Sequence, residues 1–291
     1  MSATDHTEEE GESFFVSMTD IMVGLLFIFL VIIMYFALQA KLDRERIEQY
    51  QKTKATEYTS LTRYQQDVSM QRAKILEWIS NYLRNEGVNE VQVLADQGVI
   101  RLPEGVLFRS GEFTFEPGSS AEIAVKAIAR ALADVLPCSV LRRTGRSYLD
   151  LKACENSKYN NKLFGYVESV FAEGHTDAIK IQGGLRGDPM LTTNLRLSAR
   201  RSTNTYEAIT QSEPSVMNFF GPNARALSLQ YEPVLASAAY GDTRPAAAND
   251  TEAGRQANRR IDLRINMFVP NNPATHQEFV KRLLGSHAKE D

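Results

Sequence analysis

The sequence has few of the residues and motifs on which catalytic and metal-binding sites depend. Of its four histidines, His6 and His287 lie near the ends of the chain, so no cluster with metal-ligand spacing forms. It contains neither a Gly-x-Ser-x-Gly segment nor a Walker-type glycine loop. These absences argue against a hydrolase and against a metal centre, and we therefore expect no catalytic residues, no metal and no cofactor.

A strong charge of one sign and a second hydrophobic run are lacking as well. The formal net charge of −3 over 291 residues is too small to indicate nucleic-acid binding, and no basic stripe with interleaved aromatic residues occurs. A single long apolar run predicts a single-pass topology with a large C-terminal domain. Residues 1–13 are acidic and polar, and we expect them to form a disordered tail.

The one long apolar run covers residues 14–38 and contains a single acid, Asp20. About 25 residues at roughly 1.5 Å each reach about 37 Å, which exceeds the hydrocarbon core of about 30 Å. A bare carboxylate there costs several kcal/mol, so it is kept neutral, paired or beside a wet channel. Asp20 is therefore our candidate ion-carrying group in a transmembrane helix. A plain anchor, with Asp20 reaching toward the nearer interface, is the alternative.

The segment after the apolar run has a helical composition. From Gln39 to Asn85 it contains no glycine or proline and is rich in helix formers. A sparse apolar stripe at helical spacing becomes denser between Ile75 and Leu83. We predict a helical stalk or linker over residues 39–88, whose first half is either a weak coiled-coil seam between two copies or a solvated connecting helix.

A globular domain is predicted over residues 89–270, followed by a tail over 271–291. Short β-rich segments alternate with two amphipathic helices, which predicts an α+β fold with the helices on one face of a mixed sheet. The expected elements are a hairpin over 91–102 with Gly98 in its turn, helices over 120–136 and 194–211, and strands over 166–172, 231–240 and 261–268.

Two further expectations concern the middle of this domain. The helix over 120–136 is expected to bury one apolar face, and the polar segment over 141–165 is expected to be a surface excursion. The predicted buried side chains are Ile123, Val125, Ile128, Leu132 and Val135.

Three separate segments, in the right order, resemble the OmpA-like peptidoglycan-binding domain. They are Gly174-His175-Thr176-Asp177, the segment from Asn194 to Arg201, and the segment from Gly241 to Arg260. An intramembrane Asp followed by this domain is similar to the B subunit of ion-driven stators, of which flagellar MotB is the familiar member. The acidic lead-in and the run from Thr19 to Phe29 resemble the ZorB family of Zorya anti-phage systems more than MotB.

The chemistry of a cell-wall crosslink fits two residues of these segments. Diaminopimelate carries an ammonium and a carboxylate on one short chain; Asp177 would accept from the ammonium, and the planar fork of Arg201 would bind the carboxylate. Asn194 and Leu197 precede Arg201 at helical spacing and share its face, and Thr176 lies beside Asp177. A structural salt bridge between Asp177 and Arg201 is the alternative.

Other residues near these motifs receive structural expectations. We expect Arg255, Arg259 and Arg260 to brace the last strand and its turn, and His175 to be structural or at the pocket edge. The interval between Asp177 and Leu197 is longer than in the family's pattern, which leaves the loop 178–193 without an assigned role.

The resemblance also implies partners and a location. It implies a homodimer within a ring of five MotA-like A subunits (ZorA), driven by protons or sodium ions, that holds peptidoglycan and passes its output to cytosolic defence effectors. The chain would cross the inner membrane once, with its N-terminus cytoplasmic and its C-terminal domain periplasmic. A flagellar-type stator subunit and a passive cell-wall anchor are the alternatives.

Two sequence features bear on that topology and disagree. Basic residues Lys41, Arg44 and Arg46 follow the apolar run and none precedes it, so the positive-inside rule places the C-terminal domain in the cytoplasm. Cys138 and Cys154 bracket much of the polar segment, and in an oxidising periplasm they would pair as a disulfide. In the cytosol they would be buried thiols.

Overall fold

The computed structural model describes residues 6–108, 111–139, 154, 158–159, 166–184, 188–190, 192–223 and 230–277, with the backbone alone at 6–17, 220–223 and 230–232. The chain divides into two compact units, residues 1–59 and residues 60–291. Helix α1 (His6–Asn85) contributes residues to both units. The predicted C-terminal tail lies outside the described residues from 278 onward.

The first unit consists of the N-terminal part of α1. Among the described helices, α1 alone is long and apolar enough to cross a membrane, with a mean hydropathy of 3.0 over an 18-residue window. Every side chain from Met18 to Leu38 is exposed, which suits an apolar solvent rather than water. The helix begins at His6, within the tail that the sequence predicted to be disordered.

The second unit is an α+β domain, and it contains the C-terminal part of α1 and all the strands. Two short 3₁₀ turns, Ala95–Gln97 and Pro214–Asn218, interrupt the connections. The other helices that the structure describes in full are α2 (Glu104–Leu107), α3 (Ser120–Ser139), α4 (Asn194–Ser212) and α5 (Glu252–Asn258). The strands are β1 (Gln92–Leu94), β2 (Val99–Pro103), β3 (Val167–His175), β4 (Phe220–Asn223), β5 (Gln230–Pro233), β6 (Leu235–Gly241) and β7 (Arg260–Met267).

The main sheet has the strand order β1-β2-β7-β3-β6. Its β3–β6 pair is parallel and the other pairs are antiparallel, so the predicted α+β class with a mixed sheet and a helical linker is confirmed. The predicted strand over 231–240 is two strands, since β5 pairs with β4 in a separate ribbon while β6 joins the main sheet. Pro233 stands at the break and has no N–H with which to continue a ladder.

The predicted hairpin forms between β1 and β2. Gly98 adopts the left-handed conformation at φ 72° and donates its N–H to the carbonyl oxygen of Ala95 at 3.1 Å. A residue with a Cβ would be strained there, which explains why glycine fits this turn. The hairpin places β2 beside β7, the strand that follows the third motif.

The core of the second unit lies between α1, α3 and the sheet. Ile75 and Ile79 of α1 are completely buried in the same apolar cluster as Ile128 and Leu132 of α3. Four of the five predicted buried side chains of α3 belong to this cluster, but Ile123 is 52% exposed, so that part of the prediction is wrong. The reason is helical geometry, because Ile123 is seven residues before the exposed Arg130 and shares its outward face.

Helix α4 packs closely on β3 beside the predicted site. The two elements cross at Gly174, where any added Cβ would overlap the backbone carbonyl of Ser198, so the glycine of the first motif is required by close packing.

A disulfide joins Cys138 to Cys154, with their Cα atoms 4.8 Å apart. Most of the predicted surface excursion over 141–165 lies outside the described residues.

Candidate functional site

The residues predicted to form the binding site come together at the end of β3 and the start of α4. Thr193 caps α4, since its hydroxyl oxygen accepts from the backbone N–H of Arg196 at 3.2 Å. The next residue, Asn194, donates from its side-chain amide to the backbone carbonyl of Asp177 at 3.0 Å. The first and second motifs are therefore tied directly to each other.

The carboxylate of Asp177 is buried and engaged through both of its oxygens. Only 8% of the residue is exposed. Its Oδ1 accepts from the backbone N–H of Ile179 at 3.1 Å, and its Oδ2 accepts from Nη1 of Arg259 at 2.6 Å. The side chain is thus fixed in position by its own loop and by the arginine that precedes β7.

Arg201 is buried more deeply, with 2% of the residue exposed. Its Nη2 donates to Oε1 of Glu104, and its Nε donates to the backbone carbonyl of Glu112 at 2.8 Å. Burial lowers the pKa of the Arg201 guanidinium, and the neighbouring Glu104 carboxylate acts in the opposite direction. The guanidinium therefore depends on Glu104 for charge compensation.

Asp177 and Arg201 are connected through two further side chains. Arg259 donates from Nε to Oε2 of Glu104 at 2.6 Å while its Nη1 binds Asp177, and Glu104 binds Arg201 in turn. These four side chains, Asp177, Arg259, Glu104 and Arg201, are called the charged network below. Burial lowers the pKa of Arg259, but its hydrogen bonds to Glu252, Asp177 and Glu104 together raise it well above the usual value. Both guanidinium groups remain cationic.

No sequence pattern predicted Glu104, and Arg259 was predicted only to brace the last strand and its turn. The guanidinium of Arg259 does connect neighbouring loops, and it also lies between Asp177 and Glu104. Glu104 begins the one-turn helix α2 after Pro103 and belongs to no motif, so no local pattern distinguishes it from other surface acids. Only the antiparallel pairing of β2 with β7, which places Pro103 opposite Arg260, brings it to the site.

The other predicted site residues line the same region. Leu197 is buried on the face of α4 that carries Arg201, and Thr176 is buried beside Asp177. The hydroxyl of Thr176 has no hydrogen-bond partner among the described residues. A buried hydroxyl without a partner is costly, which makes Thr176 a candidate contact for a ligand.

A cavity of about 570 Å³ reaches the charged network. Glu104 and Arg259 form part of its wall, and three further carboxylates, Glu90, Glu112 and Glu116, also line it. Its wall thus presents several anionic groups and one guanidinium to anything that enters. Such a wall favours a ligand that carries both an ammonium and a carboxylate.

A second group of charged side chains lies within the sheet itself. Asp262 accepts two hydrogen bonds from Arg101, at 2.9 Å and 3.0 Å, and one from Arg260 at 3.0 Å. Glu173 accepts from Arg264 at 2.8 Å. Together with His175 these side chains form what is called the interior cluster below.

His175 is 2% exposed, and its ring stacks on Tyr240 at a centroid distance of 5.2 Å. Burial and the positive charge of Arg260 lower its pKa from 6.5 to about 4, against the opposing influence of Asp262. His175 is accordingly a neutral structural side chain at pH 7, buried within the sheet.

The interior cluster has a composition that a metal ion could use, since oxygen or nitrogen atoms of Glu173, His175 and Asp262 lie within 4.8 Å of one another. The three arginines already bind those carboxylates, and their combined charge exceeds that of the two acids. A divalent cation would have to displace these guanidinium groups and be repelled by them. We therefore interpret the interior cluster as a structural ion-pair network.

The comparisons with known proteins identify similar structures but no family. No family model matches the chain, and no curated protein matches it. The cell wall anchor of the type VI secretion system (T6SS) from Pseudomonas aeruginosa is 17% identical over 64% of this chain and 94% of its own, with a TM-score of 0.40. A putative MotB-like protein from Desulfovibrio vulgaris is 18% identical over 69% of this chain and 99% of its own, with a TM-score of 0.44.

The periplasmic domain of Helicobacter pylori MotB is 16% identical over 63% of this chain and 84% of its own, with a TM-score of 0.36. Identities and TM-scores this low do not assign a function.

Proposed function

We propose that this chain is a membrane-anchored protein that binds peptidoglycan through the charged network. The observation that carries the proposal is that Asp177 and Arg201, at positions that resemble the OmpA-like motifs, are linked through Arg259 and Glu104, and that these two linking side chains line a cavity. The proposed role is binding, and no turnover is invoked.

The chemistry of a diaminopimelate crosslink fits this arrangement. Its carboxylate is suited to the guanidinium groups of Arg201 and Arg259, and its ammonium to the carboxylate of Asp177. The unpartnered hydroxyl of Thr176 lies next to that carboxylate in the chain and would supply a further polar contact. Charge pairs buried to this extent discriminate strongly against ligands that satisfy only one of them.

The disulfide favours one of the two topologies. A disulfide between Cys138 and Cys154 is expected in an oxidising compartment and is rare in the cytosol. We therefore propose that the second unit is periplasmic and the N-terminus cytoplasmic, despite the basic residues that follow the apolar part of α1. A periplasmic domain would have direct access to the cell wall.

Cosedimentation with purified peptidoglycan sacculi tests the binding proposal. Full-length protein in detergent should pellet with sacculi, and Asp177→Asn should abolish pelleting. Asp188→Asn is the matched control, because Asp188 is also an acid paired with an arginine, Arg200 at 2.9 Å, but it lies outside the charged network. Equal pelleting of both variants with the wild type would contradict the proposed site.

A second function concerns the apolar segment of α1. We propose that Asp20 is the ion-carrying carboxylate of a proton-driven or sodium-driven motor, in which two copies of this chain work with a ring of MotA-like A subunits (ZorA) in anti-phage defence. Its support is the isolation of this one acid in an apolar run whose described side chains are exposed as far as Leu38. The experiment must separate three versions of this proposal: a defence motor with output to cytosolic effectors, a flagellar-type stator, and a passive anchor.

Phage plaquing on cells that carry the complete operon separates these three functions. Asp20→Asn removes the titrating proton while preserving size, so it should abolish protection at matched expression. Asp43→Asn, on the same helix beyond the apolar run, is the control and should retain protection. Protection by Asp20→Asn would reduce the chain to an anchor, and absence of protection with the wild type, together with a motility defect, would favour a flagellar-type stator.

A further inference from the structure

Glu104 has an unusual position in the charged network. Its two carboxylate oxygens bind two different guanidinium groups, with Oε1 accepting from Arg201 and Oε2 accepting from Arg259 at 2.6 Å. The side chain is nearly buried, with 9% of it exposed. A carboxylate placed between two guanidinium groups already satisfies the contacts that a ligand carboxylate would require.

Both arginines make further hydrogen bonds in the described part of the chain. Arg201 also binds the backbone carbonyl of Glu112, and Arg259 also binds Asp177 and Glu252. A ligand carboxylate that bridges the two guanidinium groups must therefore replace the carboxylate that already bridges them. That carboxylate belongs to Glu104.

We propose that Glu104 is an internal ligand that occupies the carboxylate-binding position of the site and must leave when the cell-wall crosslink binds. This inference rests on the proposed peptidoglycan binding and adds the residue that regulates its affinity. In this role Glu104 sets the affinity and selectivity of the site by competing with the ligand, and ligand binding requires no contact with Glu104.

The surroundings of Glu104 allow such an exchange. Glu104 itself lines the 570 Å³ cavity, so its side chain has a space to enter without unfolding the domain. It stands at the first position of the single-turn helix α2, and the next residue, Gly105, has open space where a Cβ would lie. A local rearrangement of one turn is enough to move the carboxylate.

The charges around the cavity explain why the exchange would select a particular ligand. When Glu104 leaves the arginines it joins Glu90, Glu112 and Glu116 at the cavity wall, and like-charge repulsion opposes that move. A ligand that brings an ammonium together with its carboxylate compensates the repulsion, whereas a simple carboxylate does not. The exchange therefore favours zwitterionic ends such as that of diaminopimelate over plain acids.

Glu104→Gln tests the proposal, because it removes the competing charge and preserves the shape of the side chain. The probe is a diaminopimelate-containing muropeptide, titrated calorimetrically into full-length protein in detergent. If Glu104 occupies the site in about nine molecules of ten, its removal should tighten binding about tenfold. The matched control is Glu252→Gln, which removes an exposed carboxylate from the same Arg259 and should leave the Kd within about twofold of the wild type.

Glu104→Asp provides a second variant that keeps the charge and therefore preserves folding. Its carboxylate is one methylene farther from the arginines, so it should compete less well and bind the muropeptide with an affinity between those of the wild type and Glu104→Gln. Tighter binding in this order supports the proposal. Unchanged or weaker binding in both variants overturns it, and weaker binding would make Glu104 a residue that positions the arginines for the ligand.

The experiment also separates this inference from the proposed function. One outcome is that the wild type binds the muropeptide and the Asp177→Asn variant does not, while neither Glu104 variant binds more tightly than the wild type. In that case only the inference about Glu104 fails. If neither the wild type nor any Glu104 variant binds the muropeptide or sacculi, the proposed function fails and the inference fails with it.

Discussion

The charged network and the interior cluster contain the same kinds of side chain but differ in their position relative to the sheet. The interior cluster lies across the strands, where β2 Arg101, β7 Asp262 and β3 Glu173 are direct cross-strand neighbours. The charged network lies just beyond the strand ends. Consecutive residues belong to different groups, since Arg259 joins the network and Arg260 joins the interior cluster.

The difference between the two groups is access rather than charge. In the interior cluster the acids are enclosed by arginines and by neighbouring strands, whereas in the charged network Glu104 and Arg259 also face a cavity. Buried ion pairs alone are weak evidence for function because they also occur as structural features. The cavity is what distinguishes the network as a binding site, since buried polar atoms without a partner occur in the interior cluster, at Glu173 and His175, as well as at Thr176.

The largest effect on stability is expected when an acid is removed from the interior cluster. Asp262→Ala should lower the free energy of unfolding of the second unit by about 3–5 kcal/mol, because it leaves buried Arg101 and Arg260 without their carboxylate. Fluorescence of Trp78, the chain's single tryptophan, follows this unfolding because its ring packs on Tyr82 at 5.4 Å. A loss below about 1 kcal/mol would mean that the cluster is dispensable for stability.

The next largest effect is expected in binding rather than in stability. Asp177→Asn should weaken binding of the muropeptide by about thirtyfold or more, which is the usual result of removing one partner of a desolvated charge pair. Isothermal titration of the full-length protein measures this change. The Asp262→Ala variant, under conditions in which it remains folded, should bind the muropeptide with nearly wild-type affinity. If Asp262→Ala weakened binding and Asp177→Asn did not, the interior cluster rather than the charged network would be the binding site.

The pH dependence of stability should distinguish the groups further. Because the pKa of His175 falls from 6.5 to about 4 on folding, the unfolded chain binds more protons between these values. The free energy of unfolding is therefore unaffected by this residue above pH 6.5 and falls by about 3 kcal/mol as the pH falls to 4. His175→Gln should flatten this part of the pH profile in urea titrations, and an unchanged slope would place the responsible group elsewhere.

The smallest effect is expected at the solvent edge of the charged network. Glu252 is exposed and its hydrogen bonds to Arg259 and Arg255 lower its pKa, yet solvent screens both pairs. Glu252→Gln should therefore leave the melting temperature unchanged within error in a scanning calorimetry experiment. A clear loss of stability would show that the charged network depends on the exposed Glu252 beside it as well as on its own buried side chains.

Local patterns predicted several elements of this fold correctly. Gly98 between two β-rich segments forms the turn of the hairpin, and α4 begins at Asn194, where the sequence predicted it. These elements depend on backbone preferences and on apolar periodicity within a few residues, which a sequence displays directly. The exposed Ile123 shows the limit, because its apolar character predicted burial while its spacing from Arg130 placed it on the outward face of the helix.

The pairing within the candidate site depended on distant parts of the chain. Asp177 was expected to meet Arg201 either through a ligand or in a direct salt bridge, but Glu104 and Arg259 lie between them. Glu104 and Arg259 are 155 residues apart, and a carboxylate has no sequence signal for the arginine that it will bind. Their pairing follows from β2 lying beside β7.

The sequence by itself determined that Asp20 lies in an apolar run and that the second unit is α+β, whereas the prediction that Asp177 and Arg201 share a site came from the resemblance to the OmpA-like domain. Hydrophobic periodicity and turn chemistry are local properties, and they are sufficient for the first two conclusions. The tertiary structure decided which charges face the cavity and which are enclosed in the sheet. Strand order and burial set those differences, because the energy of a charge depends on all the groups that surround it in space rather than on its neighbours in the chain.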